Sequence, residues 1–374
     1  MKTILIINIL IIGTCFLYSG FPYISQDLKY SENRANLDSV KIKSQPVRII
    51  FWNLENLYDP YDDTTKLDDE FTSSGAKHWT WSKFSIKLNH VAKTLLAAGE
   101  WTPPAIVGLC EVENRYVLNK LIYETPLKPW KYKFIHHESP DLRGVDVALL
   151  YRTSVFSVVS SKSFSIRFPF DTSAQTREIL MVKGILAGKD TIALFVNHWP
   201  SRRGGYLMSQ PRRNYVASVL RKVIDSVQKV QPRANILVMG DFNDEPENES
   251  LCGVLHARND DAEILDTALY NLMGIRNKIR REGTLKYRDQ WSTFDQFLVS
   301  GALRAGKSGL SVNPANAGTV KLSFLMEEDN TYFGDKLNRT YRGPAYHGGF
   351  SDHLPVWVDV IQSRGKKFSQ IFAD

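Results

Sequence analysis

The chain has 374 residues, 43% apolar and 23% charged, a balance that suits a globular protein with a substantial core and excludes a disordered or collagenous chain. Three cysteines are too few for a disulfide scaffold. Lys and Arg total 47 against 40 Asp and Glu, and this net +7 permits a polyanionic partner without requiring one.

In chain order, Lys2 precedes an apolar run of about nine residues that ends in small ones, the pattern of a secretory signal. The run is short for the roughly 20 residues that cross a bilayer. Residues 1–21 therefore read as a signal peptide or N-terminal anchor. They imply a secreted, periplasmic or envelope-associated protein, with membrane association through the N-terminus as the anchored variant. Residues 22–45 are polar, lack periodicity from Gln26 to Gln45, and read as a linker. No Pro/Gly-rich boundary divides residues 46–362, so one domain is expected there, followed by a basic tail over 363–374. A monomer is expected.

Short apolar runs then recur at Val47–Trp52, Ala105–Cys110, Val145–Tyr151, Ile179–Leu186, Thr191–Val196, Ile236–Met239, Phe294–Val299 and Pro355–Ile361. Several are nearly continuous rather than alternating, which predicts strands buried on both faces. Phe84, Leu88, Val91 and Leu95 recur at helical spacing behind Ser82, a cap candidate. Asn114 is positioned to cap a second helix, and Val216, Val219, Val223 and Val227 stripe a third. Strands with helices between them predict an α/β fold.

Polar residues gather where these strands end. Asn53 and Glu55 follow the first run, Glu111 and Glu113 the second, Asn197 and His198 the fifth, and Asp241 and Asn243 the sixth. Asp352 and His353 precede the last. One such cluster is a turn; several on one chain describe a pocket held by rigid strands. Oxygen ligands without cysteine favour a hard divalent cation, Mg²⁺ or Mn²⁺ before Zn²⁺. Such a donor set suits attack of water on a phosphorus ester. Arg202 and Arg203 follow His198, and a guanidinium fork suits phosphate oxygens, so Arg202 is expected to bind substrate; the alternative is a solvated basic turn. His136, His137 and His347 lack a paired acid in any such cluster and read as surface or packing residues. The acidic stretch from Asp59 to Glu70 does not fit an EF-hand loop and reads as solvated.

The ordered motifs Phe51-Trp52-Asn53-Leu54-Glu55-Asn56, Gly108-Leu109-Cys110-Glu111-Val112-Glu113-Asn114, Asn197-His198-Trp199-Pro200-Ser201-Arg202, Gly240-Asp241-Phe242-Asn243-Asp244, Phe294-Asp295-Gln296 and Ser351-Asp352-His353-Leu354-Pro355 resemble the endonuclease/exonuclease/phosphatase (DNase I-like) superfamily. The resemblance implies a four-layer α/β/β/α sandwich, two packed mixed sheets flanked by helices, with the site at one end. It implies metal binding by Glu111, with Asn53 beside it and Asp352 as an outer or alternative ligand. It implies that Asp241 orients or deprotonates the attacking water, that Asn243 holds phosphate or water, and that Asp295 fixes the orientation of His353 at the scissile phosphate. His198 would hydrogen-bond that phosphate. Glu55 stands where some relatives carry an acid near the metal. The usual Asp-Tyr pairing reads Asp295-Gln296, which leaves the neighbouring contact open.

These features predict a Mg²⁺- or Mn²⁺-dependent phosphodiesterase, a nuclease acting on nucleic acid. A phosphatase or phospholipase of the same superfamily is the alternative, and a non-catalytic surface-binding module on the same fold is the rival.

Overall fold

The structure, a computed structural model, describes residues 46–362 apart from 101, 189, 261 and 279–281. The expected leader, linker and basic tail lie outside the described residues. Among those described, no helix is long and apolar enough to cross a membrane.

Two large sheets carry the fold. One orders its strands Leu310–Thr319, Val356–Gln362, Val47–Leu57, Ile106–Val112, Asp146–Arg152 and Tyr132–His136. The other runs Phe156–Phe164, Ile179–Leu186, Asp190–His198, Ile236–Asp241, Asp295–Ser300, Leu269–Asn271 and Ala257–Arg258. Both are mixed: Val47–Leu57 runs parallel to Ile106–Val112, and Asp190–His198 parallel to Ile236–Asp241, among antiparallel neighbours.

Side-chain alternation explains the continuous apolar runs. Ile49 and Phe51 point between the sheets and pack in one core with Leu149, Leu194, Met239, Phe297 and Val358. Ile50 and Trp52, on the opposite face of the same strand, pack with Leu88, Val91, Leu118 and Leu121 of helices Trp81–Ala98 and Arg115–Tyr123. Helix Tyr206–Val230 covers the outer face of the second sheet through Val216, Ala217, Leu220 and Ile224 against Phe195 and Val238. Helix, sheet, sheet and helix form the four expected layers. The sheets approach closely at Gly108, where a Cβ would meet the Met239 sulfur at 2.5 Å.

The strands Tyr132–His136, Phe156–Phe164 and Leu310–Thr319 escaped the apolar pattern and are outer strands of their sheets, and the two- and three-residue strands Ala257–Arg258 and Leu269–Asn271 are too short to form an apolar run. Edge strands carry polar residues and tolerate proline, and Pro314 sits at a register shift between Val312 and Ala317. The first long helix starts two residues earlier than expected, and Thr80 rather than Ser82 caps it, accepting from the Lys83 amide. Asn114 caps the second as expected, its side-chain oxygen accepting from Tyr116 and Val117. The Asp59–Glu70 segment is not simply solvated: Asp59 and Asp68 are buried, and Asp59 accepts from Asn114 and the Tyr61 amide. Cys110 and Cys252 are both unpaired.

Candidate active site

Strand register gathers the first half of the site. Asp241 sits opposite His198 on its parallel neighbour and opposite Asp295 on its antiparallel one, so three polar residues stand side by side across one sheet. The other sheet supplies Asn53 and Glu111 from the ends of two parallel strands. The Asn53 side-chain amide donates to Asp241 Oδ2 at 3.0 Å, a hydrogen bond that joins the two sheets. His353 approaches from the segment before Val356–Gln362. Its Nδ1 lies 2.7 Å from Asp295 Oδ2 and its Nε2 lies 3.9 Å from Asp241 Oδ2. His198 Nε2 is 3.7 Å from Asp241 Oδ2 and 3.8 Å from Glu111 Oε1. Asn53, Glu111, His198, Asp241, Asp295 and His353 therefore converge on one rim.

Buried contacts hold these groups. Trp52 Nε1 donates to the His353 carbonyl, and Ser351 Oγ donates to the Asn53 carbonyl while accepting from the His353 amide. Arg177 donates to the carbonyls of His198 and Trp199 and to Asp141. Asn243 donates its amide N–H to Asp241 Oδ1 and its side-chain N–H to the Trp199 carbonyl. Backbone strain concentrates here as well: Glu55, Asn56, Glu111 and Asn243 hold φ of 52°, 61°, 58° and 51°. Left-handed conformations at such residues cost about 1–3 kcal/mol each and persist only where surroundings impose them. The register shifts near Asn53 and Cys110 are local bulges, which re-aim the side chains that follow. One consequence is that Glu111 Oε2 accepts from the Asn56 amide at 2.9 Å.

The two histidines differ electrostatically. Burial drives His198 well below its ordinary value, and Arg177, Arg143 and His353 push the same way, so the ring is neutral. Its Nδ1 is buried without a hydrogen-bond partner. That suits an unprotonated nitrogen there and places the proton on Nε2, facing Glu111 and Asp241. Burial also opposes a charge on His353, but the Asp295 and Asp241 carboxylates override it and hold the ring well above the usual range. Burial raises Asp241 to about 6, Asp295 adds to this, and His353 opposes it.

Two expected roles are revised. Arg202 is not free to clamp phosphate in the expected way. Its Nε donates to the Asn243 carbonyl, its Nη2 donates to Asp244 and Asn248, and its plane covers Phe294 and Tyr206. It braces the turn that carries Asn243. Asp352 does not join the group around Glu111; its Oδ2 accepts from Arg339 Nη2 at 2.7 Å, and the Arg339 Nε reaches Glu55. Gln296 resolves the open contact. Its side-chain N–H groups donate to the carbonyls of Asp244 and Thr293, and its oxygen accepts from Asn271.

Arg177, Arg339 and Lys87 were not singled out in the sequence. Lys87 is fully buried under Glu55 and donates to Thr340 and the Phe350 carbonyl; burial lowers it to about 8 while Glu55 opposes. Burial, with the nearby Asp352, raises Glu55. The one available signal was a lysine in the apolar stripe of the first helix, one position before Leu88.

Asp244 ties the same turn to the long helix. Arg213 Nε lies 2.8 Å from its Oδ2, both side chains are fully buried, and Ser250 donates to the same oxygen. Asp244→Ala would strand the Arg213 charge, so stability should fall by about 3–5 kcal/mol, read from urea unfolding monitored by tryptophan fluorescence. A loss under about 1 kcal/mol would mean that water reaches Arg213 readily.

The donor set fits a hard cation. Glu111 Oε1 lies 3.8 Å from His198, Asn53 and Asp241 add oxygens alongside, and the thiol of neighbouring Cys110 is kept protonated by burial and by those carboxylates, which leaves an oxygen donor set.

This constellation on a two-sheet sandwich defines a phosphoester hydrolase class. The family model of the endonuclease/exonuclease/phosphatase family matches residues 48–362, and the chain belongs to that family, whose members hydrolyse phosphoester bonds and use divalent metals. No curated protein matches the sequence. Solved structures share the fold. The human Nocturnin catalytic domain aligns at TM-score 0.53 and 16% identity, covering 85% of this chain and 95% of that one. A humanized D. rerio TDP2 aligns at 0.53 and 16%, covering 85% and 99%. The Bacteroides thetaiotaomicron mannosyl-6-phosphatase aligns at 0.53 and 15%, covering 84% and 99%.

Proposed function

We propose that the chain is an exported, Mg²⁺- or Mn²⁺-dependent phosphodiesterase that cleaves nucleic acid. The observation that carries the chemistry is the pairing of a cationic His353, held by Asp295, with the Asp241 carboxylate across the rim from Glu111 and Asn53. Asp241 accepts the proton of the attacking water, because His353 is already protonated and cannot. The His353 Nε2–H and the His198 Nε2–H donate to phosphoryl oxygens, and Asn243 steadies Asp241 through its amide. Glu111 and Asn53 would hold the divalent ion, which supplies charge stabilisation on the phosphoryl oxygens when bound. Asp295 is a positioning residue. The N-terminal leader supports export, and the net +7 charge supports a polyanionic substrate.

Chelation tests the metal role. EDTA should abolish hydrolysis, and added Mg²⁺ or Mn²⁺ should restore it. Glu111→Gln should raise the metal concentration for half-maximal activity by at least about tenfold. Full activity in EDTA would remove the metal from this proposal.

A second reading, hydrolysis of a small phosphate ester, has its own observation. A cavity of about 260 Å³ is lined by Lys286, Arg288, Lys336, Arg339 and Arg342 together with Asp329 and Asp352, which pair with Lys286 and Arg339 and leave a basic excess. That is the scale of a small anionic ligand rather than a polymer groove. Plasmid DNA, single-stranded DNA, RNA, inositol phosphate and sphingomyelin assayed with Mg²⁺ separate the two. A nuclease should also lose affinity steeply with salt.

A further inference from the structure

A second cluster of ligand-bearing side chains lies outside this site. His136, Glu138 and Asp146 place one ligand atom each within 4.8 Å of one another. Strand pairing creates the cluster. His136 ends the Tyr132–His136 strand opposite Ala148, and Asp146 stands two residues from Ala148 on the same sheet face, so the two are diagonal neighbours. The His136 side chain is fully buried and that of Asp146 is 2% exposed.

The geometry is not that of a hydrogen-bonded pair. His136 Nε2 and Asp146 Oδ2 are 3.2 Å apart, yet neither that oxygen nor either ring nitrogen makes a hydrogen bond. Asp146 Oδ1 is already satisfied by the Ser139 amide. Glu138 lies 3.8 Å from the other ring nitrogen of His136, Nδ1, a carboxylate oxygen of it comes within 4.8 Å of the His136 and Asp146 ligand atoms, and its side chain is 56% exposed, so the cluster opens to solvent. Buried polar atoms without partners are rare and call for a missing partner. Two donors bound to one ion at about 2.1 Å stand roughly 3.0–3.4 Å apart, which the nitrogen–oxygen separation matches. An imidazole in the set favours a late first-row ion over Mg²⁺ or Ca²⁺.

We propose that His136, Glu138 and Asp146 form a second metal site, for Zn²⁺ or a similar first-row divalent ion. The ion joins the two ends of the loop over residues 137–145. That loop carries Asp141, the partner of Arg177, which in turn holds the His198 carbonyl. The site is a brace for one wall of the active centre and does not depend on the reaction proposed there.

The full-length chain, stripped with chelator and dialysed against micromolar Zn²⁺, tests this by elemental analysis. Glu111→Gln is included as background to weaken metal uptake at the active centre. One zinc per chain should remain in Glu111→Gln alone and disappear when His136→Ala or Asp146→Asn is added. Added Glu138→Gln, at a half-exposed carboxyl that threatens folding least, should weaken zinc binding at least about tenfold. Zinc should raise the melting temperature of Glu111→Gln and leave that of the His136→Ala double variant unchanged. Absence of zinc from Glu111→Gln would overturn the proposal and leave His136 as a buried imidazole between carboxylates. Undiminished zinc across all three added substitutions would overturn it equally.

Discussion

Replacing His353 with alanine should lower kcat by about a thousandfold at neutral pH and also lower the melting temperature, because it strands the buried Asp295 carboxylate. The ring is the one imidazole on the rim held in its charged form, because the Asp295 and Asp241 carboxylates outweigh burial. Removing such a donor typically costs two to four orders of magnitude. The fold should persist, since the backbone contacts of His353, to Trp52 and Ser351, stay in place, and kcat measured well below the lowered melting temperature separates the chemical loss from unfolding. Asp295→Asn gives the matching control. It keeps the imidazole but removes the charge beside Nδ1, so His353 loses its proton at lower pH and the alkaline limb of the rate profile moves down. A purely structural Asp295 would change the melting temperature and leave that limb where it was. Near-normal turnover in His353→Ala would take the residue out of the mechanism.

The strand-end residues were legible in the sequence for a physical reason. A strand buried on both faces is almost uninterrupted in apolar character, so Asn53, Glu111, His198 and Asp241 stand out where it emerges. Which strands pair is a different matter. The neighbours of Asp241 are set by register with strands some forty to fifty residues away, and the His353–Asp295 contact spans 58 positions. Only the ordered motif set, through family resemblance, pointed to a two-sheet sandwich. Single charges without a local pattern stayed invisible. Arg339 reaches Glu55 across 284 positions, and nothing around either residue signals the pair. Arg202 misled because a guanidinium after a catalytic-looking histidine suits phosphate equally well as it suits Asp244. His136 is buried, as a packing residue is, and the carboxylate beside it, Asp146, is ten residues on and brought there only by the strand pairing. Edge strands failed because their solvent-facing polar residues erase the apolar run.

Asp241→Asn should be as damaging to turnover as loss of His353, about a thousandfold or more, although it changes no volume. The carboxylate is the acceptor for the water proton in the proposed reaction, and an amide cannot take that role. Stability should respond in the opposite direction. Burial raises the folded-state value of Asp241 to about 6 from its ordinary 3.8, so the folded chain binds this proton more tightly than the unfolded chain does. The wild type therefore loses stability as pH rises through that window. An asparagine has no such titration. In EDTA, where no ion neutralises the site, the melting temperature of Asp241→Asn should gain on the wild type between pH 4 and 6 and then level off. The absolute offset depends on the hydrogen bonds from Asn53 and Asn243, which one amide can only half satisfy. The pH trend does not depend on that offset. Parallel melting curves across the window would mean that folding does not raise Asp241, and a carboxylate of ordinary basicity would be a poor acceptor for the proton of water at neutral pH.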